Sequence, residues 1–288
     1  MEKNKTSRDW FVLMAGEGKR TQHLGPYKPF ITVADNEFGK KYVIECCIEG
    51  ILESGFDIEK DKMFFVFTEK QENEFNCSEV LSSLRVLQKV PKVRVFTIQL
   101  QETKSQLETF LAALTFRRKI SEFNDRPCDI VAVNADQYNV FQYKIKDGCV
   151  YLPAYINTEN TSAFFTMHMY NPDVVQTMHE KVQVSSIASS GVFIFSSYLY
   201  KLIADENYKD KINELLLLNE NGREPTLTAL INFLITRTAM GINICSTRIK
   251  IDLGSEEGIL WMREKEKNKY LDIVKLKAQR NSFSALDE

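Results

Sequence analysis

Short apolar runs rich in β-branched and aromatic residues alternate along this chain with longer stretches of helical spacing. WFVLMA (10–15), MFFVFT (63–68), RVFTIQL (94–100) and DIVAVNA (129–135) have the continuous apolar character of buried strands. Between them, YVIECCIEGILESG (42–55) has helical spacing and ends on a Gly stop. SQLETFLAALTFRRKISEF (105–123) sets Leu107, Phe110, Leu111 and Leu114 on one helix face. Strand, helix, strand repeated through residue 135 predicts a parallel sheet with helices on both sides. After about residue 140 the pattern turns to hairpin-like pieces: AFFTMHMY (163–170), GVFIF (191–195), and two late strands, INICST and RIKIDL, near 242–253. EEGILWMREKEKNKYLDIVKLKAQR reads as a charged helix with an apolar stripe, followed by a polar tail. The predicted class is α/β: a Rossmann-like three-layer α/β/α sandwich with a mixed, mostly parallel sheet and a small β-rich insertion. One domain is expected over 1–262, with a charged helix and tail over 263–288.

Composition narrows the classes of function. The 288 residues are 44% hydrophobic, enough for a full core. With 37 basic against 39 acidic side chains, there is no chain-wide electrostatic argument for nucleic acid or an anionic membrane. Any anion binding must be local. The six cysteines form no C-x-x-C pair, which points to reduced thiols. No apolar run approaches the roughly 20 residues of a membrane span, and the first is too short for a secretory signal. A cytoplasmic location is expected.

The first strand opens into Ala15-Gly16-Glu17-Gly18-Lys19-Arg20, with Lys28 following between Tyr27 and Pro29. Glycines let backbone N–H groups approach oxygens, and Arg suits bidentate contact with phosphate. A dinucleotide fingerprint would need a small residue where Thr21 stands, and the loop cations argue against it. A Walker A loop needs Gly-Lys-Ser/Thr, and Gly18-Lys19-Arg20 fails it. On the loop alone, a plain strand-to-helix turn with solvated cations stays open. Asp136 follows an apolar strand directly, and a single Asp at a strand's C-terminal end can supply half of a Mg²⁺ site. Asp252 in RIKIDLGSEEGI offers a second carboxylate.

LMAGEGKR…GPYKPFITV resembles the N-terminal signature of the sugar-1-phosphate nucleotidylyltransferases, A-A-G-x-G-x-R followed by P-K-P-L-x-P-V. Gly16, Gly18, Arg20, Lys28 and Pro29 match, and Tyr27 replaces the usual first Pro. NADQY around Asp136 is similar to the family's first metal motif, and KIDLGSEE around Asp252 to W-x-D-x-G-T-P-E-D-L. The resemblance implies a GT-A-like nucleotidyltransferase fold whose β-rich insertion binds the acceptor. Mg²⁺ would be held by Asp136 and Asp252, and the catalytic cations would be Arg20 on pyrophosphate and Lys28 at the α-phosphate. It further implies nucleotide contacts from Met14, Ala15, Gly16, Glu17, Gly18, Lys19 and Ala135. VVQTMHEKVQVSSIASSGVFIF is similar to the family's acceptor segment, which implies acceptor roles for Glu180, Lys181 and Ser190, with Ala163 at the small-residue position of TSAFFTM.

The base-recognition segment, TIQLQETKSQLETFLAAL, offers Gln99 and Gln101, but Lys104 or Ser105 stands where the family has Gly. Ser105 is carried as a nucleotide contact, with base and acceptor unassigned. No hexapeptide repeat follows residue 262, so the β-helix that some relatives append is not expected. The resemblance implies transfer of NMP from an NTP to a sugar 1-phosphate. The alternatives are a cytidylyltransferase acting on a non-sugar phosphate and a non-catalytic nucleotide-sugar sensor. A GT-A glycosyltransferase would normally show D-x-D, which NADQY lacks. Oligomeric state is not legible.

Overall fold

The computed structural model describes residues 7–16, 19–37, 39–120, 128–143, 148–157, 165–171, 174–180, 182–217, 224–238 and 240–284, with backbone alone at 19–20, 165–171 and 273–284. Its first half runs β1 (Arg8–Leu13), β2 (Thr32–Asn36), β3 (Gly39–Tyr42), α1 (Val43–Glu53), β4 (Lys62–Thr68), α2 (Glu69–Phe75), α3 (Cys77–Ser83), β5 (Val95–Leu100), α4 (Gln106–Lys119) and β6 (Asp129–Asn134). The second half continues with β7 (Gln137–Phe141), β8 (Cys149–Ile156), β9 (Phe165–Asn171), β10 (Val174–Glu180), β11 (Ile187–Ser189) and β12 (Val192–Phe195). It closes with α5 (Tyr198–Ala204), α6 (Glu206–Leu215), α7 (Leu227–Arg237), β13 (Gly241–Asp252) and α8 (Glu256–Ser284). Short 3-10 turns cover Lys19–Leu24, Lys28–Phe30 and Arg85–Lys89.

The sheet follows from the apolar runs. Strand β1 pairs in parallel with β4 on one side and β6 on the other, and β4 pairs with β5. Strands buried on both faces need apolar residues at every position, which is why these runs do not alternate. Phe11 and Leu13 face one layer, packed with Phe64, Val66, Ile98 and the α4 residues Leu107, Phe110 and Leu114. Trp10 and Val12 face the other, with Met63, Phe65 and the α1 residues Ile44, Cys47 and Ile48. Two helical layers thus sandwich one sheet. Phe11 stacks on Phe64 at 5.0 Å and meets Phe110 edge-on at 6.1 Å. Each such ring, fully buried, contributes on the order of 2 kcal/mol.

Eleven described strands form the main sheet, in the order β5-β4-β1-β6-β12-β8-β11-β9-β10-β13-β7. Beyond β6 the neighbours turn antiparallel, and β12 runs against β6 from Val192↔Val133 to Phe195↔Ile130. The mixed sheet, helices on both faces and added β-rich part are those expected for the α/β class. The two late strands are one continuous β13, which pairs in parallel with β8 and antiparallel with β7 and β10. A strand crossing from one set of partners to another needs no break where its polarity changes. Helices α2, α3 and α5 have seven residues each, too few for a clear period, whereas α7 (LTALINFLITR) sets Thr228, Asn232 and Thr236 four residues apart within an otherwise apolar run. Helix α8 runs without interruption through Met262. No described helix is long and apolar enough to cross a membrane.

Candidate active site

The site forms where β1 and β6 end. Met14 N donates to Val66 O at 2.8 Å, and Ala135 N to Leu13 O at 3.2 Å. The parallel register thereby extends one residue past the strands, setting the start of the glycine loop beside the segment that leads to Asp136. An ideal Cβ on Gly16 would meet nothing within 4 Å, so this backbone faces open space. Glu17 and Gly18 lie outside the described residues, and Lys19 and Arg20 open the 3-10 turn Lys19–Leu24.

Tyr27, the departure from the family's Pro, has a visible task. Its hydroxyl donates to Met14 O at 2.8 Å, and its ring stacks on Phe75 at 4.7 Å. Burial holds its phenol well above the ordinary range, so it remains a donor. Gln71 Nε2 also donates to Met14 O, at 3.4 Å. The loop base is therefore fixed from below by two side chains. Pro29 takes the second position of the turn Lys28–Phe30, where a missing N–H costs nothing. That turn delivers Lys28 to Asp136, with Nζ 2.8 Å from Oδ2. Both side chains are mostly shielded, at 12% and 22% exposure. Behind them, Cys47 Sγ points to Asn134 O at 3.7 Å. Burial pushes the Cys47 thiol up, and the Asp136 charge adds to that.

Asp252 reaches the same edge through β13, whose register places it opposite Gln137, the neighbour of Asp136. Its Oδ1 accepts from Gly254 N at 2.9 Å, and its carbonyl accepts from Ser255 Oγ at 3.1 Å. Helix α8 starts immediately afterwards. An ideal Cβ on Gly258 would stand 1.8 Å from Asp252 O, so only glycine lets the helix approach this closely. His23, in the turn that carries Arg20, meets Glu256 at 3.1 Å. Leu24, Ile31, Val43, Leu253 and Ile259 pack beneath as one cluster. Two carboxylates on a sheet edge suit a hard cation that keeps water and substrate oxygens as its remaining ligands, and this oxygen-donor set fits Mg²⁺. Among the described residues, no three His, Cys, Asp or Glu side chains form a metal cage.

The segment that carries Gln101 and Ser105 leaves β5 at the same sheet edge. Gln99 is exposed on β5, and Gln101 Nε2 donates to Glu69 Oε1 at 2.5 Å. Ser105 caps α4, its hydroxyl accepting from Glu108 N at 3.1 Å. A helix N-cap explains a hydroxyl residue at the position where the family has Gly. Gln106, which the sequence analysis did not single out, donates to Asn134 Oδ1 at 2.6 Å and accepts from Leu227 N at 3.2 Å. Glu180 accepts from Thr226 Oγ1 at 2.7 Å. The N-terminus of α7 is thus bound both to Gln106 at the start of α4 and to Glu180 at the end of β10. Ser190 is fully buried, and its carbonyl accepts from Asn139 Nδ2 at 2.9 Å. Ala163 and Lys181 lie outside the described residues. Gln71 left a signal in Thr68-x-x-Gln71, a capping box straight after a strand. Gln106 left none, because it reads as any polar residue in a first helical turn.

No protein-family model matches this chain, and no curated protein does. Solved structures do. A nucleoside-diphosphate-sugar pyrophosphorylase from Vibrio cholerae RC9 superposes with a TM-score of 0.65 at 16% identity, covering 89% of this chain and 99% of its own. The inositol-1-phosphate CTP transferase from T. maritima gives 0.61 at 12% identity, over 90% and 96%. A UTP-bound UGPase from Acinetobacter baumannii gives 0.56 at 14% identity, over 90% and 93%. At such identities the likeness is one of architecture, and the chain has the fold of the sugar-phosphate nucleotidyltransferases.

Proposed function

We propose that this chain is a Mg²⁺-dependent nucleotidylyltransferase that transfers NMP from an NTP to a sugar 1-phosphate, releasing pyrophosphate and making an NDP-sugar. The observation that carries the reading is the meeting of Lys28 and Asp136 beside the glycine loop, with Asp252 brought to the same edge. An acceptor phosphate oxygen attacks the α-phosphorus in line, and the bond from that phosphorus to the bridging oxygen breaks as pyrophosphate departs. An ionised phosphate already attacks, so no side-chain nucleophile is required, and the protein's task is positioning and charge neutralisation. Lys28 steadies charge at the α-phosphate, and Arg20 takes the pyrophosphate. Mg²⁺ held by Asp136 and Asp252 would neutralise phosphate oxygens. The family resemblance assigns nucleotide contacts to Met14, Ala15, Gly16, Glu17, Gly18, Lys19 and Ala135, and the base to Gln99, Gln101 and Ser105. It assigns acceptor roles to Ala163, Glu180, Lys181 and Ser190, of which Ser190 is fully buried and would act from behind the contact surface.

A second reading, cytidylyl transfer to a non-sugar phosphate, is favoured by the likeness to the inositol-1-phosphate CTP transferase, whose TM-score of 0.61 stands near the 0.65 of the nucleoside-diphosphate-sugar pyrophosphorylase. One experiment separates them. The protein is incubated with each NTP, Mg²⁺ and a panel of sugar 1-phosphates and phospho-alcohols, and pyrophosphate is followed. Asp136→Asn is expected to lower turnover about 10³-fold or more, with NTP binding reduced less. Undiminished pyrophosphate release by that variant removes Asp136 from the metal site. Silence across the panel, alongside nucleotide-sugar binding, identifies a sensor instead.

A further inference from the structure

A cleft away from the sheet edge lies between the β2–β3 hairpin, α1, the turn Arg85–Lys89 and α8. Five cations line it, Lys40, Lys41, Arg85, Lys89 and Lys269, with three carboxylates, Glu45, Glu49 and Glu266. The carboxylates are all committed. Glu45 accepts from Tyr42 N at 3.0 Å and closes the capping box of α1. Glu49 and Glu266 both hold Lys41 Nζ, at 2.7 and 2.9 Å. Burial works against the Lys41 ammonium, but its anionic neighbours more than offset that. Lys40, Arg85, Lys89 and Lys269 are exposed, and none has an acidic partner among the described residues.

We infer that this cleft is a second, anion-binding site whose ligand is a small molecule carrying a di- or triphosphate group. Four uncommitted cations from three separate elements converge on one concavity, where their mutual repulsion is relieved by a polyanion. Gly39 is part of the cleft's lining. It sits at φ +95°, and a Cβ there would stand 2.6 Å from Arg85 Nη2. The missing side chain lets the guanidinium lie against the hairpin turn, where its fork presents paired N–H donors of the kind phosphate takes. Lysines on the facing elements then add point charges that suit further phosphoryl oxygens.

The cleft is joined mechanically to the candidate active site. Helix α8 begins beside Asp252 and supplies Lys269, while β2 continues from the turn that holds Lys28. Arg263 Nε and Nη2 both donate to Thr32 O, at 3.1 and 3.0 Å, tying α8 to β2. A ligand bridging Lys40, Arg85 and Lys269 therefore braces the two elements that position Asp252 and Lys28. Binding itself needs nothing from the nucleotidyltransferase reading; only its effect on turnover does.

The test is calorimetric titration of the full chain with tripolyphosphate, ADP and inorganic phosphate in separate arms. The wild type and Lys28→Gln are expected to share one class of tripolyphosphate site. In the double variant Arg85→Glu/Lys269→Glu that class weakens by about tenfold or more. Thermal melts check its fold, and Arg85→Gln/Lys269→Gln repeats the measurement with a gentler change. Hydrogen exchange of Lys28→Gln with tripolyphosphate is expected to slow at 36–41 and 265–270. ADP binding tighter than tripolyphosphate identifies a nucleotide, and equal binding identifies any polyphosphate. Wild-type affinity in both folded double variants, or tripolyphosphate binding no tighter than inorganic phosphate, overturns the site. Absence of pyrophosphate release across the acceptor panel tests the catalytic reading and leaves these titrations unaffected.

Discussion

Lys28 and a metal ion would seek the same carboxylate, since Nζ already stands 2.8 Å from Asp136 Oδ2. Replacing the lysine by an uncharged residue of similar length removes that competition. Lys28→Met is therefore expected to raise Mn²⁺ affinity of the nucleotide-free protein several-fold while lowering turnover about 10²–10³-fold. Mn²⁺ titration followed by electron paramagnetic resonance reads the first effect, and pyrophosphate release the second. Equal Mn²⁺ affinity in both proteins would end the competition idea. Gly258 is a second sensitive position, because the obstacle there is backbone, the Asp252 carbonyl. Gly258→Ala is expected to cost about 1–3 kcal/mol in urea unfolding and to weaken metal binding through the displaced aspartate. A neutral effect would mean that α8 shifts freely. At this scale the sequence was legible where chemistry is uncommon. Lysine in a Pro-rich turn and aspartate ending an apolar strand both stand out. Tyr27 and Gln106 do not, because a hydrogen bond to a distant carbonyl or amide leaves no local pattern.

Helix α4 is fixed to the sheet by a buried polar cluster as well as by its apolar face. Arg117 Nε donates to Asp9 Oδ2 at 2.6 Å, and the same oxygen accepts from Tyr200 Oη at 3.2 Å and from Cys128 Sγ at 3.1 Å. Asp9 is 1% exposed, so removing its cation strands a charge away from water. Arg117→Met is expected to lower stability by about 3–5 kcal/mol in guanidinium unfolding. Asp9→Leu added to Arg117→Met should recover most of that loss, and no recovery would show that packing, not charge, set the cost. Helix α7 is held differently. The Asn232 side chain accepts from Met178 N and donates to Met178 O, both at 2.9 Å, in the manner of a neighbouring strand. Helix α1, with its helical spacing, and β1, a continuous apolar run that ends at the glycine loop, were legible from the chain alone. Helix α7 was missed although Thr228, Asn232 and Thr236 recur at four-residue spacing, a helical signal set within an apolar run of strand-like length. Continuous β13 was missed for the opposite reason, its polar stretch answering a change of partners that no local window records.

Across the whole molecule, stability should concentrate where β1 lies between β4 and β6. Trp10, Phe11 and Val12 have no exposure, and neither do Val131 and Ala132 opposite them. Amides of these five residues are expected to exchange only through global unfolding, so native-state hydrogen exchange should give them the full unfolding free energy. Exchange at a lower, subglobal energy would show that the sheet opens in parts. The layered class was legible in the sequence because apolar runs alternated with helical spacing through residue 135. The strand order was not, because β12, β8 and β13 pair across long separations that local pattern does not encode. That order has a consequence for synthesis, in which domains form from the N-terminus onward as the chain emerges. Trp10 must wait for Val131 before its second edge is covered, and β7 waits for β13. Lys28 and Asp136 are therefore both present long before Asp252, the last residue of its strand. A polypeptide stalled earlier on the ribosome carries half a cation seat and no α8 to brace it. Under the proposed reading such a fragment is catalytically silent, and nucleotide is spent only by chains that have completed the sheet.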